Sequence, residues 1–170
     1  MADTRIRFDI KDRREWDRVR KKLRDMADRA KDVSPAWHAL LTWFGEQNLE
    51  QFLNRGARYH TAWPPLAVST REGKLRQNHP LDPLIRTGDL AQSLTSRPLS
   101  VEHVTPHEMA GGTDIRYAGF HQRGTDRMPQ RKLFDPAQIR RERAATTACA
   151  NWILKGQARV GGRAVLRGGR

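Results

Sequence analysis

Ile6, Phe8 and Ile10 fall on one side of the chain and Arg7 and Asp9 on the other, the period-two alternation of a half-buried strand. The period changes at Asp12, which can cap a helix. From there Trp16, Val19, Leu23, Met26, Ala30 and Val33 recur at spacings of three and four, predicting one apolar stripe on a charged helix. Ser34 as cap and Pro35 at the first helical position predict a second helix, since the missing proline N–H has no partner there anyway. Trp37, Leu40, Leu41, Phe44, Leu49, Phe52 and Leu53 line it, and Gly56 stops it. Two helices this rich in large apolar residues need a flat surface to cover, and a sheet supplies one.

The middle of the chain has another texture. Trp63-Pro64-Pro65-Leu66 reads as a stiff connector, because each proline removes a donor and pushes the preceding residue out of the helical region. A short helix from Ser69 is broken by HPLDPL at 79–84. Thr87 is placed to cap another, presenting Leu90 and Leu94 on one face. From Pro98 the pattern turns to strand: Leu99, Val101 and His103 alternate with Ser100 and Glu102, PHEMAGG forms a loop, and TDIRYAGF predicts the returning strand. Pro136 opens a last helix through Ile139, Ala144, Ala148, Trp152 and Ile153. The expected fold is α+β: N-terminal helices and a C-terminal helix packed on a small, mostly antiparallel β-sheet. One domain is expected over 1–157, with a basic Arg/Gly-rich tail over 158–170.

Charge adds a partner class. The net charge is +13 and the mean hydropathy −0.80, the footprint of a protein working near a polyanion. Residues 123–170 hold twelve Lys/Arg against three Asp/Glu, whereas 1–33 hold twelve against eight, so the excess is C-terminal. Arg159, Arg163, Arg167 and Arg170, spaced by glycines and small residues, predict an extended segment that gains order against a partner protein or DNA, or that merely solubilises. No run approaches the ~18 apolar residues of a membrane span, and the N-terminus lacks the order of a secretion signal. Synthesis in the cytoplasm and no membrane partner are expected.

Catalytic chemistry finds little support. His121 beside Gln122, with Asp126 nearby, suggests a base and an orienting carboxylate, but adjacent residues of a strand point to opposite faces. His103, His107 and Glu108 have metal-like spacing in a strand and loop, where i and i+4 share no face. Cys149 lies among small residues and reads as a small hydrophobe, and there is no phosphate-binding glycine loop; the glycines at 111 and 112 read as turn residues. The expectation is no enzyme, no metal and no cofactor.

Four segments together carry a resemblance: Trp63, Pro65-Leu66, Ser69-Thr70 and Lys74; Leu84-Ile85-Arg86-Thr87-Gly88-Asp89-Leu90 with Ser93-Leu94; Tyr117-Ala118-Gly119-Phe120-His121-Gln122-Arg123-Gly124-Thr125; and Met128-Pro129-Gln130-Arg131 with Phe134. In this order they resemble the tail-completion, or virion morphogenesis, family of tailed bacteriophages, over most of 60–136. Gln130 replaces the usual alanine, and Lys132-Leu133-Phe134 stands where that family has proline then phenylalanine. The resemblance implies a non-enzymatic virion protein of the neck or tail: a ring, sixfold by the family's habit, that joins or closes head and tail and lets DNA pass. Its implied partners are further copies of itself, adjacent head-closure, tail-terminator or major tail proteins, and genomic DNA in the lumen, bound without sequence preference. In a ring, Tyr117, Phe120, His121, Gly124, Pro129 and Arg131 are the candidates for subunit contact, with Gly124 allowing a tight turn and Arg131 reaching a neighbouring carboxylate or carbonyl. The alternatives are a sequence-independent DNA-binding protein and a tail-assembly chaperone or adaptor outside the virion.

Overall fold

A computed structural model describes residues 13–59, 62–135, 143–160 and, for the backbone alone, 163–166. The expected strand at 6–10 and the expected start of the last helix at Pro136 lie outside the described residues. The elements in chain order are α1 (Arg13–Lys31), α2 (Ser34–Leu53), a 3-10 turn (Ala57–Tyr59), α3 (Val68–Arg76), α4 (Asp89–Thr95), β1 (Val101–Val104), β2 (Met109–Gly112), α5 (Ala118–Arg123), α6 (Ala144–Lys155), β3 (Ala158–Val160) and β4 (Arg163–Leu166). The fold is α+β. The described strands form two separate antiparallel pairs, β1 with β2 and β3 with β4.

Helix α2 is the spine, and it is buried on more than one side. Ala36, Ala39 and Leu40 pack with Ala144 and Ala148 of α6 and with Ala158 and Val160 of β3. Small side chains on α2 and α6 let the helices and the strand approach closely. Further along, Phe52 joins Trp63, Leu90, Leu94, Ala118 and Leu133 in a second cluster. Pro35 sits in the first turn of α2 as expected, but Val33 occupies the cap position and Ser34 donates its own N–H to Asp32 Oδ1. At the other end Gly56, at φ 95°, donates to the Gln51 carbonyl and closes the helix in the left-handed geometry that favours glycine.

Several expectations are corrected. The stripe of α1 is not core: Trp16, Val19 and Leu23 are 44%, 46% and 58% exposed, and no α1 residue is fully buried. The end of α1 is fastened by Arg29 Nε to the Ile153 carbonyl at 2.9 Å and by Trp152 Nε1 to the carbonyls of Arg29 and Asp32. Thr87 does not cap α4. Gly88 holds the cap position at φ 96°, and Thr87 bonds the Asp89 carboxylate instead.

In the hairpin the alternation is inverted, with Val101 and His103 outward and Glu102 and Val104 partly buried. The carboxylate of Glu102 explains the phase, since it takes the Arg97 guanidinium at 2.7 Å and the Leu99 N–H at 3.0 Å, giving an inward acid its partners. Met109–Gly112 is the returning strand rather than loop, and a Cβ on Gly111 would run into Leu41 of α2. That glycine serves close approach, not a turn. The segment expected to return as strand contains α5 instead.

The expected boundary after residue 157 does not follow the packing. Ala158 and Val160 are 3% and 4% exposed and belong to the core around α2 and α6, so cutting after Gln157 would strip an integral strand. No helix of the described residues is long and apolar enough to cross a membrane.

Candidate functional site

Residues 117–134 contain only one helix, the short α5, yet they are held at many points. Gly124 ends α5 at φ 76° and ψ 172°, donating to the Phe120 carbonyl at 2.7 Å. A reciprocal pair of backbone hydrogen bonds between Thr125 and Met128 forms the tight turn that follows. The chain then returns alongside α5, with the Arg131 N–H donating to the His121 carbonyl at 2.8 Å.

Side chains finish what the backbone cannot. Gln122 accepts from the N–H groups of Leu133 and Phe134 at 2.8 and 3.3 Å and donates to the Phe134 carbonyl at 2.8 Å. The Lys132 carbonyl accepts from Gln51 Nε2 of α2 and from Trp63 Nε1 of the connector, each at 2.9 Å. Arg131, 7% exposed, donates from Nε to the Pro64 carbonyl at 3.2 Å and from Nη2 to the Pro65 carbonyl at 3.0 Å. Trp63 also meets Phe52 edge to face, 5.4 Å between centroids. A segment with no ladder of its own thus has its polar backbone satisfied by residues up to 81 positions away in sequence.

Three of the segments quoted above therefore meet in one knot: the Trp-Pro-Pro connector, the His-Gln helix and the Pro-Gln-Arg return. The fourth adjoins it through Leu90 and Leu94 in the shared cluster. Lys74 fastens the neighbouring loop, its Nζ donating to the carbonyls of Pro80, Asp82 and Ile85. Burial lowers the Lys74 pKa, the charge of Asp82 opposing and that of Arg86 adding to the effect.

The six candidate positions divide by role. Tyr117 and Phe120 are 45% and 52% exposed, so they are free to meet another molecule. Arg131, expected to reach a neighbouring carboxylate or carbonyl, is turned inward on the Pro64 and Pro65 carbonyls of its own chain. Gly124 has its Cβ direction against Gln130, 3.0 Å from that residue's backbone nitrogen, and is a shape residue. Pro129 is exposed at the exit of the turn. His121 is partly buried and stacks edge to face on Tyr117 at 5.9 Å.

His121 lies on a helix, not a strand. Its Nδ1 is buried with no hydrogen-bond partner among the described residues, and burial, then the charge of Arg131, lowers its pKa. The unfolded chain therefore binds a proton more readily, so this group's contribution falls as pH drops below about 6.5 toward the lower folded value. The melting temperature should decline between pH 7 and pH 5.5, and decline less in His121→Gln; equal declines in both proteins would exclude His121 as the cause.

His103 and His107 are exposed on β1 and the hairpin turn, and no three His, Cys, Asp or Glu side chains among the described residues could hold a metal ion. Cys149 packs against the α2–α6 cluster, and burial raises its thiol pKa. Arg159 is on β3 and Arg163 on β4, while Arg167 and Arg170 lie outside the described residues.

The sequence gives no sign of the structural roles of Gln51, Gln122 and Lys74. Gln51 sits in a polar-looking run, EQNLEQ, yet is fully buried, and only its distant carbonyl partner reveals why. No family model, curated protein or solved structure matches the chain.

Proposed function

We propose that the chain is a structural protein of the head-to-tail region of a tailed bacteriophage, a subunit that assembles with copies of itself, sixfold, into a ring that joins or closes head and tail and lets DNA pass. The observation that carries this reading is how the residues of the resemblance are used. Gln122, Arg131 and Trp63 direct their donors at carbonyls of their own chain, while Tyr117 and Phe120 remain exposed beside them. Polar residues spent on shape, with aromatic surface turned outward, suit a contact element rather than a reaction centre. The exposed stripe of α1 gives a second apolar surface on a separate element. Two different patches are what a heterologous, ring-closing contact requires.

The neighbours in this reading are other neck and tail proteins, with genomic DNA passing through the lumen and the virion as the place of action. Catalysis has no part in it, and a turnover that the purified protein performs and His121→Ala loses would overturn it. The direct test is sedimentation of the purified chain alongside imaging of phage particles. Wild type should form a closed oligomer found in particles, and Leu23→Glu or Tyr117→Glu/Phe120→Glu should yield folded monomers, since all three positions are exposed. A wild-type monomer absent from particles would sink the proposal. Were that monomer also to bind DNA without sequence preference and with steep salt dependence, the net charge of +13 would be explained by DNA binding instead.

A further inference from the structure

Between the connector and α3 on one side and the 117–131 knot on the other lies a groove of about 890 Å³. Its walls are apolar, with Leu84, Ile85, Leu90, Tyr117 and Met128 among them. Its charged groups are unbalanced: Lys74, Arg86, Arg127 and Arg131 line it against the single acid Asp89. Lys74 and Arg131 donate to backbone carbonyls rather than to carboxylates; the nearby charge of Asp82 offsets part of that of Lys74, whereas Arg131 has no carboxylate partner among the described residues. Carbonyl dipoles fix a cation's position without neutralising its net charge, and apolar walls strengthen the field it projects into a cleft. Arg86 and Arg127 are exposed at the edge, and His121 lines the groove, its buried Nδ1 without a partner among the described residues.

We propose that this groove is the docking site for an acidic, apolar segment of a different protein, its carboxylates set against the arginines and its large side chains against Leu84, Ile85 and Met128. Charge argues against a second copy of the chain. The exposed helix that could reach out from one, α1, carries Arg13, Arg14, Arg18, Arg20, Lys21, Lys22 and Arg24 through Asp25, against only Glu15, Asp17 and Asp25. A cationic arm does not enter a cationic groove. Duplex DNA is the poorer fit as well, because phosphate binding uses free donors on an open surface, and here two of the four cations have turned their donors onto carbonyls. Apolar walls contribute nothing to a phosphate, whereas they add burial for a peptide side chain.

This deepens the structural reading by giving the chemistry of one adjacent protein, but its test needs only the isolated full chain. Random twelve-residue peptides displayed on messenger RNA would be selected on the wild-type chain, and the enriched peptides titrated by fluorescence anisotropy. The enriched pool should combine Asp or Glu with large apolar residues. The double variant Arg86→Glu/Arg127→Glu, altered only at exposed positions, should bind those peptides at least tenfold more weakly with an unchanged melting temperature, and Met128→Asp should weaken them too. Replacing the peptides' acids by amides should weaken binding to the wild type. A pool lacking acids, undiminished affinity in both variants, or displacement of the peptide by an equimolar twelve-base-pair duplex would overturn the inference. Peptide binding is read by anisotropy and ring formation by sedimentation, so a failure of one reading is distinguished from a failure of the other although Tyr117 borders both surfaces.

Discussion

Trp63→Ala should destabilise the protein more than any other single truncation in the connector, by about 3–5 kcal/mol, lowering the melting temperature by roughly 10 °C or more for a domain of this size. Three losses combine at this position. The side chain is 6% exposed, it stands edge to face with Phe52, and its indole N–H is one of two donors to the Lys132 carbonyl. Trp63→Phe separates them, because an aromatic ring remains against Phe52 and Gln51 still donates to Lys132. That variant should lose far less, about 1–2 kcal/mol. Combining it with Gln51→Leu removes both donors from a part-buried carbonyl, and the double variant should be less stable than the sum of the two single changes. Thermal melts of the four proteins make the measurement. An additive double variant would mean that the Lys132 carbonyl finds water instead.

Gly124→Val carries the second large effect. At φ 76° and ψ 172° the residue occupies a region essentially reserved for glycine, where a side chain costs about 1–3 kcal/mol. A Cβ would also stand 3.0 Å from the Gln130 nitrogen and 3.2 Å from its Cα, so the return strand of the knot must shift to admit it. The shift falls on the backbone that presents Tyr117 and Phe120, and the melting temperature should drop by roughly 3–10 °C. Amide exchange should quicken at Thr125, Gln130 and Arg131 while the amides of α2 and α6 keep their protection. Assembly should suffer more than folding, with the variant remaining soluble but failing to form the oligomer at concentrations where wild type does. Normal ring formation by a folded Gly124→Val protein would remove the 117–131 stretch from the subunit contact.

The elements that sequence pattern located correctly share a local cause. Helix α2 carries its own first-turn proline and terminal glycine, the Trp-Pro-Pro connector excludes helix by itself, and the two leucines of α4 lie one turn apart on one face. The stop at Gly124 was equally local, and as a helix-ending glycine it could have identified α5, but six residues of mixed polarity gave too weak a period to compete with the strand alternation. Tertiary structure decided the rest. Periodicity shows that α1 has an apolar stripe but not whether anything covers it, and the described residues leave it open. The phase of β1 turned on a buried carboxylate finding Arg97, and the inclusion of Ala158 and Val160 in the core turned on a gap between α2 and α6 that a short strand fills.

At the candidate site the sequence by itself determined the residue types, the freedom of Gly124 to adopt a left-handed turn and the stiffness of the prolines, because these are properties of single residues and their neighbours. Which donor met which carbonyl was settled only by folding. Gln51 and Lys132, or Arg131 and Pro65, stand 81 and 66 positions apart, and a segment without regular structure has no period that announces its partners. Its backbone groups accept whatever donors the surrounding fold brings within hydrogen-bonding distance, so the shape of the knot is a property of the whole fold.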